Sequence, residues 1–360
     1  MATISKPFSS VSLQEAVDLI AAIGSSVTVV MQGHIGTGKS SMINPIGDVV
    51  GIPPERRFYY DCATKQAGDV SVPELHTVDG RRVVTFVPNE ELGFGTTEPV
   101  LVMVDELGKS DKGVLKSMLR FLHEHQVGPY KLPQGSIVFA TTNLGQEGVG
   151  DLIPAHGRNR VDVIKVRKPT ATEWVENFAL KNNVSPIVIT AALEYPTMFQ
   201  SFEEVEDPRN NQYIYHPKMP LAAFVTPRTL HKASDILKAT EHLPDGVRTH
   251  ALMGVVGEAA ALDIMTLARL DETLPRWEDI VSNPESTKVP DRGVAQVLLA
   301  NKAIMNVEPE TIVPWMQYCQ RMPKEVQALF GRGVMAGEKM SFVVKIAEFT
   351  KWARDSLHLL

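Results

Sequence analysis

The 360-residue chain has only two cysteines, Cys62 and Cys319. One distant pair makes no disulfide framework and has no metal-site spacing, so the sequence points to a reduced, cytoplasmic setting. Long apolar runs are missing too. None approaches the ~20 residues a membrane helix needs, and residues 1–10 carry no apolar core of signal-peptide length. No membrane partner is therefore expected. Excess positive charge is also absent: 36 Lys and Arg stand against 42 Asp and Glu, a net charge of −6. That balance disfavours a broad nucleic-acid-binding surface. Internal repeats and low-complexity tracts are lacking. What remains is an ordinary soluble composition, 44% hydrophobic and 22% charged, in a chain long enough for two or three domains with their own cores.

Against this plain background one stretch stands out. Gly33-His34-Ile35-Gly36-Thr37-Gly38-Lys39-Ser40 fits G-x-x-x-x-G-K-[ST], a phosphate-binding loop. It follows Val27-Thr28-Val29-Val30-Met31, a β-branched run that reads as a strand. Triphosphate oxygens need several backbone N–H groups turned inward at once, and glycine permits that curl. The loop then opens a helix whose N-terminal dipole favours anions. Lys39 is expected on the β- and γ-phosphates and the Ser40 hydroxyl on Mg²⁺. Gly33, His34, Ile35, Gly36, Thr37, Gly38, Lys39, Ser40 and Ser41 form the expected nucleotide cradle, with no side-chain role given to His34. Pro45, five residues past Ser40, predicts a short or bent helix and pushes Asn44 away from helical geometry.

The second signal is Leu101-Val102-Met103-Val104-Asp105-Glu106. An apolar run before the acids reads as a strand buried on both faces, as in a parallel sheet. Acids at its C-terminal end lie where such sheets place their chemistry. Asp105 is expected to hold Mg²⁺, directly or through water, and Glu106 to orient and deprotonate an attacking water. A third buried strand, residues 136–143, ends at Asn143, a sensor for the water or the γ-phosphate. A further strand, residues 161–166, has Arg158 and Arg160 just before it.

Other elements follow from local signals. Ser12-Leu13-Gln14-Glu15 is a capping box opening a helix that Gly24 ends. Arg57 to Tyr60 reads as a second core strand, and residues 62–99 look like an insertion between core strands, with Thr64 to Pro73 a loop and Arg82 to Val87 a short strand. Residues 110–123 carry helical spacing, and residues 126–135 suggest a hairpin. Beyond Lys168-Pro169 the chain reads as helical, with segments at 171–181, 187–193 and 227–239. Thr226-Pro227-Arg228 places a cap, a first-turn proline and an arginine at one helix start. Trp315, Phe330 and Trp352 are expected in a core. Phe342, Ile346, Phe349, Ala353 and Leu357 recur at helical spacing.

Phosphate loop, Asp105-Glu106, Asn143, Arg158/Arg160 and Arg228, in this order, resemble an AAA+ ATPase. The insertion before the Asp-Glu strand, the stretch 122–127 leading to a hairpin, and Thr-Pro-Arg in the second domain resemble its MoxR-like branch. The resemblance spans about residues 12 to 260. It implies an α/β P-loop AAA+ three-layer nucleotide domain with a parallel sheet (1–170), an α-helical lid (171–261) and a helical C-terminal extension (262–360). It implies ATP and Mg²⁺ as cofactors and a catalytic set of Glu106, Asn143, Arg228 and a trans arginine, Arg158 or Arg160. It further implies a homo-oligomeric ring, a hexamer, and chaperone-like remodelling of a protein partner such as a von Willebrand factor A domain protein. Two features depart from the pattern: Pro45, and His156-Gly157-Arg158-Asn159-Arg160 where such proteins often carry an Asp-Arg-Phe-like sequence. The alternative classes are a nucleic-acid loader or motor, which DNA-stimulated hydrolysis would reveal, and a small-molecule P-loop kinase, which would need an acceptor.

Overall fold

Strands buried on both faces need helices on both faces, and that requirement shapes the first part of the chain. The computed structural model describes residues 10–144, 159–219, 221, 223–337 and 339–355. Two compact units result, Met1–Lys168 and Pro169–Leu360. In the first, the strands are β1 (Val29–Gly33), β2 (Arg57–Asp61), β3 (Ser71–Val78), β4 (Arg81–Pro88), β5 (Leu101–Asp105), β6 (Gln126–Val127), β7 (Tyr130–Lys131), β8 (Ile137–Thr142) and β9 (Asp162–Val166). Five of them form one sheet in the order β2-β5-β8-β1-β9, and each neighbouring pair is parallel.

Its helices are α1 (Leu13–Ile23), α2 (Ile43–Val50) and α3 (Lys112–Glu124). On one face of the sheet Val29, Met31, Leu101, Met103 and Phe139 pack with Ala16, Val17 and Ile20 of α1 and Ile46 of α2. On the other, Val30, Val102, Val104, Val138 and Ala140 pack with Val114, Met118, Phe121 and Leu122 of α3. The unit is therefore three layers, as the sequence reading had it.

The helix starts are chemically explicit. Ser12 Oγ accepts from the Glu15 N–H at 3.2 Å while Glu15 Oε2 accepts from the Ser12 N–H at 2.7 Å. Asp111 Oδ1 accepts from Gly113 N–H and Val114 N–H at 2.6 and 2.8 Å, capping α3. Gly24 does close α1, but in a right-handed conformation. Its glycine is a matter of space: a Cβ there would lie 2.7 Å from Ile137 Cγ2.

Pro45 behaves differently from the expectation at Asn44. A 3₁₀ turn over Lys39–Ser41 intervenes, and α2 then starts at Ile43. Pro45 is thus the third residue of α2, where its missing N–H has no intrahelical acceptor to lose. Asn44 is helical, and the helix is short, at 8 residues.

The insertion is more ordered than a loop. Residues 71–73, expected as loop, begin β3, which pairs antiparallel with β4 from Ser71↔Pro88 to Val78↔Arg81. Asp79 and Gly80, both at positive φ, make the turn, as a two-residue hairpin requires. A two-stranded ribbon leaves outward-facing N–H positions along both edges, so Pro73 is tolerated. The β6–β7 hairpin forms as expected.

The second unit is helical: α4 (Ala171–Trp174), α5 (Pro186–Glu194), α6 (Pro227–Ala239), α7 (Asp245–Val256), α8 (Glu258–Asp271), α9 (Trp277–Ser282), α10 (Gly293–Asn306), α11 (Ile312–Cys319), α12 (Lys324–Ala336), α13 (Met340–Val343) and α14 (Ala347–Asp355). The helix expected over 171–181 continues from α4 as a π-helix, Val175–Ala179. One apolar cluster joins Val188 of α5, Leu230 of α6, Leu252 of α7 and Ile264 of α8. A second gathers Trp315, Tyr318, Phe330, Phe349 and Trp352, so the aromatic residues expected in a core are there. The helix α8 is continuous through position 261. The apolar repeat at 342–353 falls on two helices rather than one, α13 and α14, with a break after Val343; Leu357 lies outside the described residues.

Candidate nucleotide site

The site is built at the C-terminal ends of β1, β5 and β8. β1 delivers the chain to Gly33, where a Cβ would sit 2.6 Å from the Val166 carbonyl oxygen of β9. Only glycine allows that approach. Gly36 and Gly38 follow at φ of 71° and 104°, the left-handed region that lets the loop curl. Thr37 Oγ1 donates to the His34 carbonyl at 3.1 Å, and Ser41 Oγ to the Gly38 carbonyl at 2.7 Å. His34 and Thr37 are buried, Ile35, Gly36, Gly38 and Ser40 partly so, and Ser41 is exposed.

Lys39 is 6% exposed. Its Nζ donates to the Gly33 and His34 carbonyls at 2.8 and 2.6 Å and to Asn143 Oδ1 at 3.0 Å. The loop lysine and the residue at the tip of β8, 104 positions apart, therefore share a hydrogen bond. The sequence had assigned both to the γ-phosphate separately, and the fold brings them together.

The acids are organised by their neighbours. Asp105 is 3% exposed. Its Oδ1 accepts from the Glu106 N–H at 3.0 Å and from Thr141 Oγ1. Its Oδ2 accepts from the Tyr59 hydroxyl at 2.8 Å. Thr141 Oγ1 also accepts from the Glu106 N–H at 3.3 Å, so one hydroxyl of β8 ties both acids down. Glu106 sits at φ 52°, a left-handed conformation unfavourable for a residue with a Cβ and enriched at functional positions. Its carboxylate accepts from Lys109 Nζ at 2.7 Å on Oε1 and 2.6 Å on Oε2.

Nearby Cys62 is no nucleophile: burial, then Asp61 and Asp105, push its thiol up to about 12, so it stays protonated at neutral pH. No group of three or more His, Cys, Asp or Glu among the described residues could hold a metal by itself. A hydroxyl and a fixed carboxylate, Ser40 and Asp105, are hard oxygen donors of the kind Mg²⁺ uses when substrate phosphates complete its shell. The donor set thus suits Mg²⁺ carried with a nucleotide.

Strand register places Arg160. β1 and β9 pair with Val29 beside Asp162 and Gly33 beside Val166. Arg160 precedes that register, so it lies at the opposite end of the strands from its own loop. It is exposed, and its charge helps lower the Glu124 carboxyl, after the larger effect of the Arg120 hydrogen bond. Arg158 is outside the described residues. Arg228 is exposed in the first turn of α6, in the second unit. Thr226 caps that helix, its Oγ1 accepting from the Thr229 N–H at 3.1 Å. The sequence reading missed Tyr59, Thr141 and Lys109. Of these, only the polar tip of the β8 run, Thr141-Thr142, left a signal.

Counted in chain order, the five sheet strands run 2-3-4-1-5, with the phosphate loop after the first, the acid pair after the third and the polar tip after the fourth. That arrangement is a P-loop α/β fold of the AAA+ type. No protein-family model matches the chain, and no curated protein does either. Among solved structures, the chain is similar to Thermotoga maritima RuvB, a Holliday junction branch migration motor, at 15% identity over 86% of each chain, with a TM-score of 0.36. It is similar to Brucella abortus NtrX at 13% identity over 97% of this chain and 67% of that one, TM-score 0.39. It is also similar to Hsp104 in a closed state with ATPγS and casein, at 16% identity over 48% of this chain, TM-score 0.35; the match spans 36% of the Hsp104 chain. These likenesses are too remote to carry function, and the fold class rests on strand order and loop placement.

Proposed function

We propose that this chain is a Mg²⁺-dependent ATPase that couples hydrolysis to the remodelling of a protein partner within a homo-oligomeric ring. The observation that carries the reading is the meeting of Lys39 with Asn143 at 3.0 Å, at the same sheet end where Thr141 joins Asp105 to Glu106. Backbone N–H groups of residues 34–40 bind the phosphates, and Lys39 supplies a cation to the β- and γ-oxygens. Asn143 hydrogen-bonds the γ-phosphate or the water. Glu106 orients that water and takes its proton. Ser40 and Asp105 would hold Mg²⁺, which would supply neutralisation of charge on the phosphates.

Arg160 serves a neighbouring subunit's nucleotide, because it lies away from its own loop. Arg228 is given the sensor role of the second domain, and residues 171–261 and 262–360 are read as lid and extension. The MoxR-like branch and the chaperone role rest on the motif resemblance, as do the hexamer and a partner of the von Willebrand factor A kind. Phosphate release from ATP tests the reading. Steady Mg²⁺-dependent release with no acceptor is expected. Release that needs DNA would move the assignment to a nucleic-acid motor, and release that needs a small-molecule acceptor would move it to a kinase.

A further inference from the structure

The Asp105 carboxylate has a third donor that no phosphate-loop motif contains. Tyr59 belongs to β2, the edge strand, which pairs in parallel with β5. The register sets Tyr59 beside Met103 and Asp61 beside Asp105. Alternation along strands puts all four on one face of the sheet, the face where α1 and α2 pack. Asp61 is the direct neighbour of Asp105 in the register, and its Oδ1 accepts from the Ala63 N–H at 3.0 Å. Tyr59 instead reaches forward two residues, and its hydroxyl donates to Asp105 Oδ2 at 2.8 Å.

The remaining donors to Asp105, Thr141 and the Glu106 N–H, both fall on Oδ1. Tyr59 is therefore the donor that fixes Oδ2. A carboxylate held at one oxygen can still rotate about its Cβ–Cγ bond, whereas donors on both oxygens fix the plane. The residue stays open, at 45% exposure. A tyrosine kept in place only for packing would hide its ring in the core, as its neighbour Tyr60 does at 0%.

We infer that Tyr59 is a positioning residue for the metal: its hydroxyl fixes the plane of the Asp105 carboxylate so that the group meets a Mg²⁺–nucleotide complex without reorienting. The inference rests on the ATPase reading above. Partners of this kind, one step out from a metal ligand, change metal affinity about 10- to 100-fold when removed. Tyr59 is thus expected to act on metal binding and not on the nucleotide contacts of the loop.

The test measures Mn²⁺ binding by electron paramagnetic resonance, with a non-hydrolysable ATP analogue present, on the full chain. Tyr59→Phe keeps the ring and removes the hydroxyl. About tenfold weaker Mn²⁺ binding is expected, with unchanged affinity for the analogue in EDTA and an unchanged melting temperature. Tyr59→Met removes the ring as well and is expected to lose Mn²⁺ affinity by the same factor. Phe matching wild type while Met alone is weaker would assign Tyr59 to packing and overturn the inference. Wild type that binds the metal–analogue complex normally, with Tyr59→Phe equal to it, would overturn the Tyr59 role and leave the ATPase reading standing. Wild type that shows no metal-dependent analogue binding would remove the ATPase reading, and the role of Tyr59 with it.

Discussion

Lys39 carries a charge in a nearly closed setting, held by two loop carbonyls and Asn143. Charge-assisted hydrogen bonds of this kind are each worth roughly 1.5–3 kcal/mol. Lys39→Ala is therefore expected to weaken ATP binding about 10- to 100-fold, measured by titration calorimetry, and an unchanged affinity would remove Lys39 from the phosphates. Asp105→Asn keeps the shape and loses the charge. It is expected to shift the Mg²⁺ requirement upward while metal-free nucleotide binding holds, and an identical Mg²⁺ titration would argue against Asp105 as the ligand.

These residues were legible in the sequence because phosphate chemistry demands fixed types at fixed offsets: glycines at 33 and 38, a lysine at 39, acids after an apolar strand. Tyr59 and Thr141 act on Asp105 from 46 and 36 positions away. Only strand register brings them there, and register is not written in any local pattern. Lys109 pairs with Glu106 across three residues, a spacing too common among charged residues to single it out.

At the scale of elements, burial decided what could be read. β5 and β8 are buried along their whole length, so their apolar runs announce them. The β3–β4 ribbon is open, with Leu75 at 57% and Val84 at 55% exposure. It lacks the one-sided alternation that marks a half-buried strand, and its first residues read as loop. Pro45 looked like a helix breaker because the helix was taken to open directly from the phosphate loop. Once the 3₁₀ turn displaces the start to Ile43, the proline falls in a permissive first turn.

In the second unit, Trp315 is fully buried among aromatic rings, with centroids 5.6 Å from Trp277, 5.6 Å from Phe330 and 5.7 Å from Tyr318. Trp315→Ala is expected to lower the stability of this unit by ~3–5 kcal/mol, the usual cost of deleting a large buried aromatic. Urea denaturation followed by circular dichroism checks it, and a loss under ~1 kcal/mol would mean the cluster collapses around the gap.

For the whole molecule, the account makes the active site a property of an assembly. Arg160 stands at the end of the sheet remote from its own phosphate loop, and an arginine supplied in trans can be worth ~10³-fold or more in rate. Arg160→Ala and Lys39→Ala are each expected to be nearly inactive alone. Mixed together they should recover part of the activity, because some interfaces then pair an intact loop with an intact arginine. No recovery, with mixed assemblies seen by native mass spectrometry, would count against a trans role for Arg160.

Beneath all of this lies the claim that the chain hydrolyses ATP with Glu106 as the base. Replacing Glu106 by Gln keeps the size and hydrogen-bonding reach of the side chain but cannot take a proton, and positioned general bases contribute about 10²- to 10⁴-fold. The most direct measurement is ATP affinity and phosphate release, side by side, for wild type and Glu106→Gln. The account expects equal affinity and a release rate lowered at least ~100-fold in the variant; equal release rates from the two proteins would contradict it.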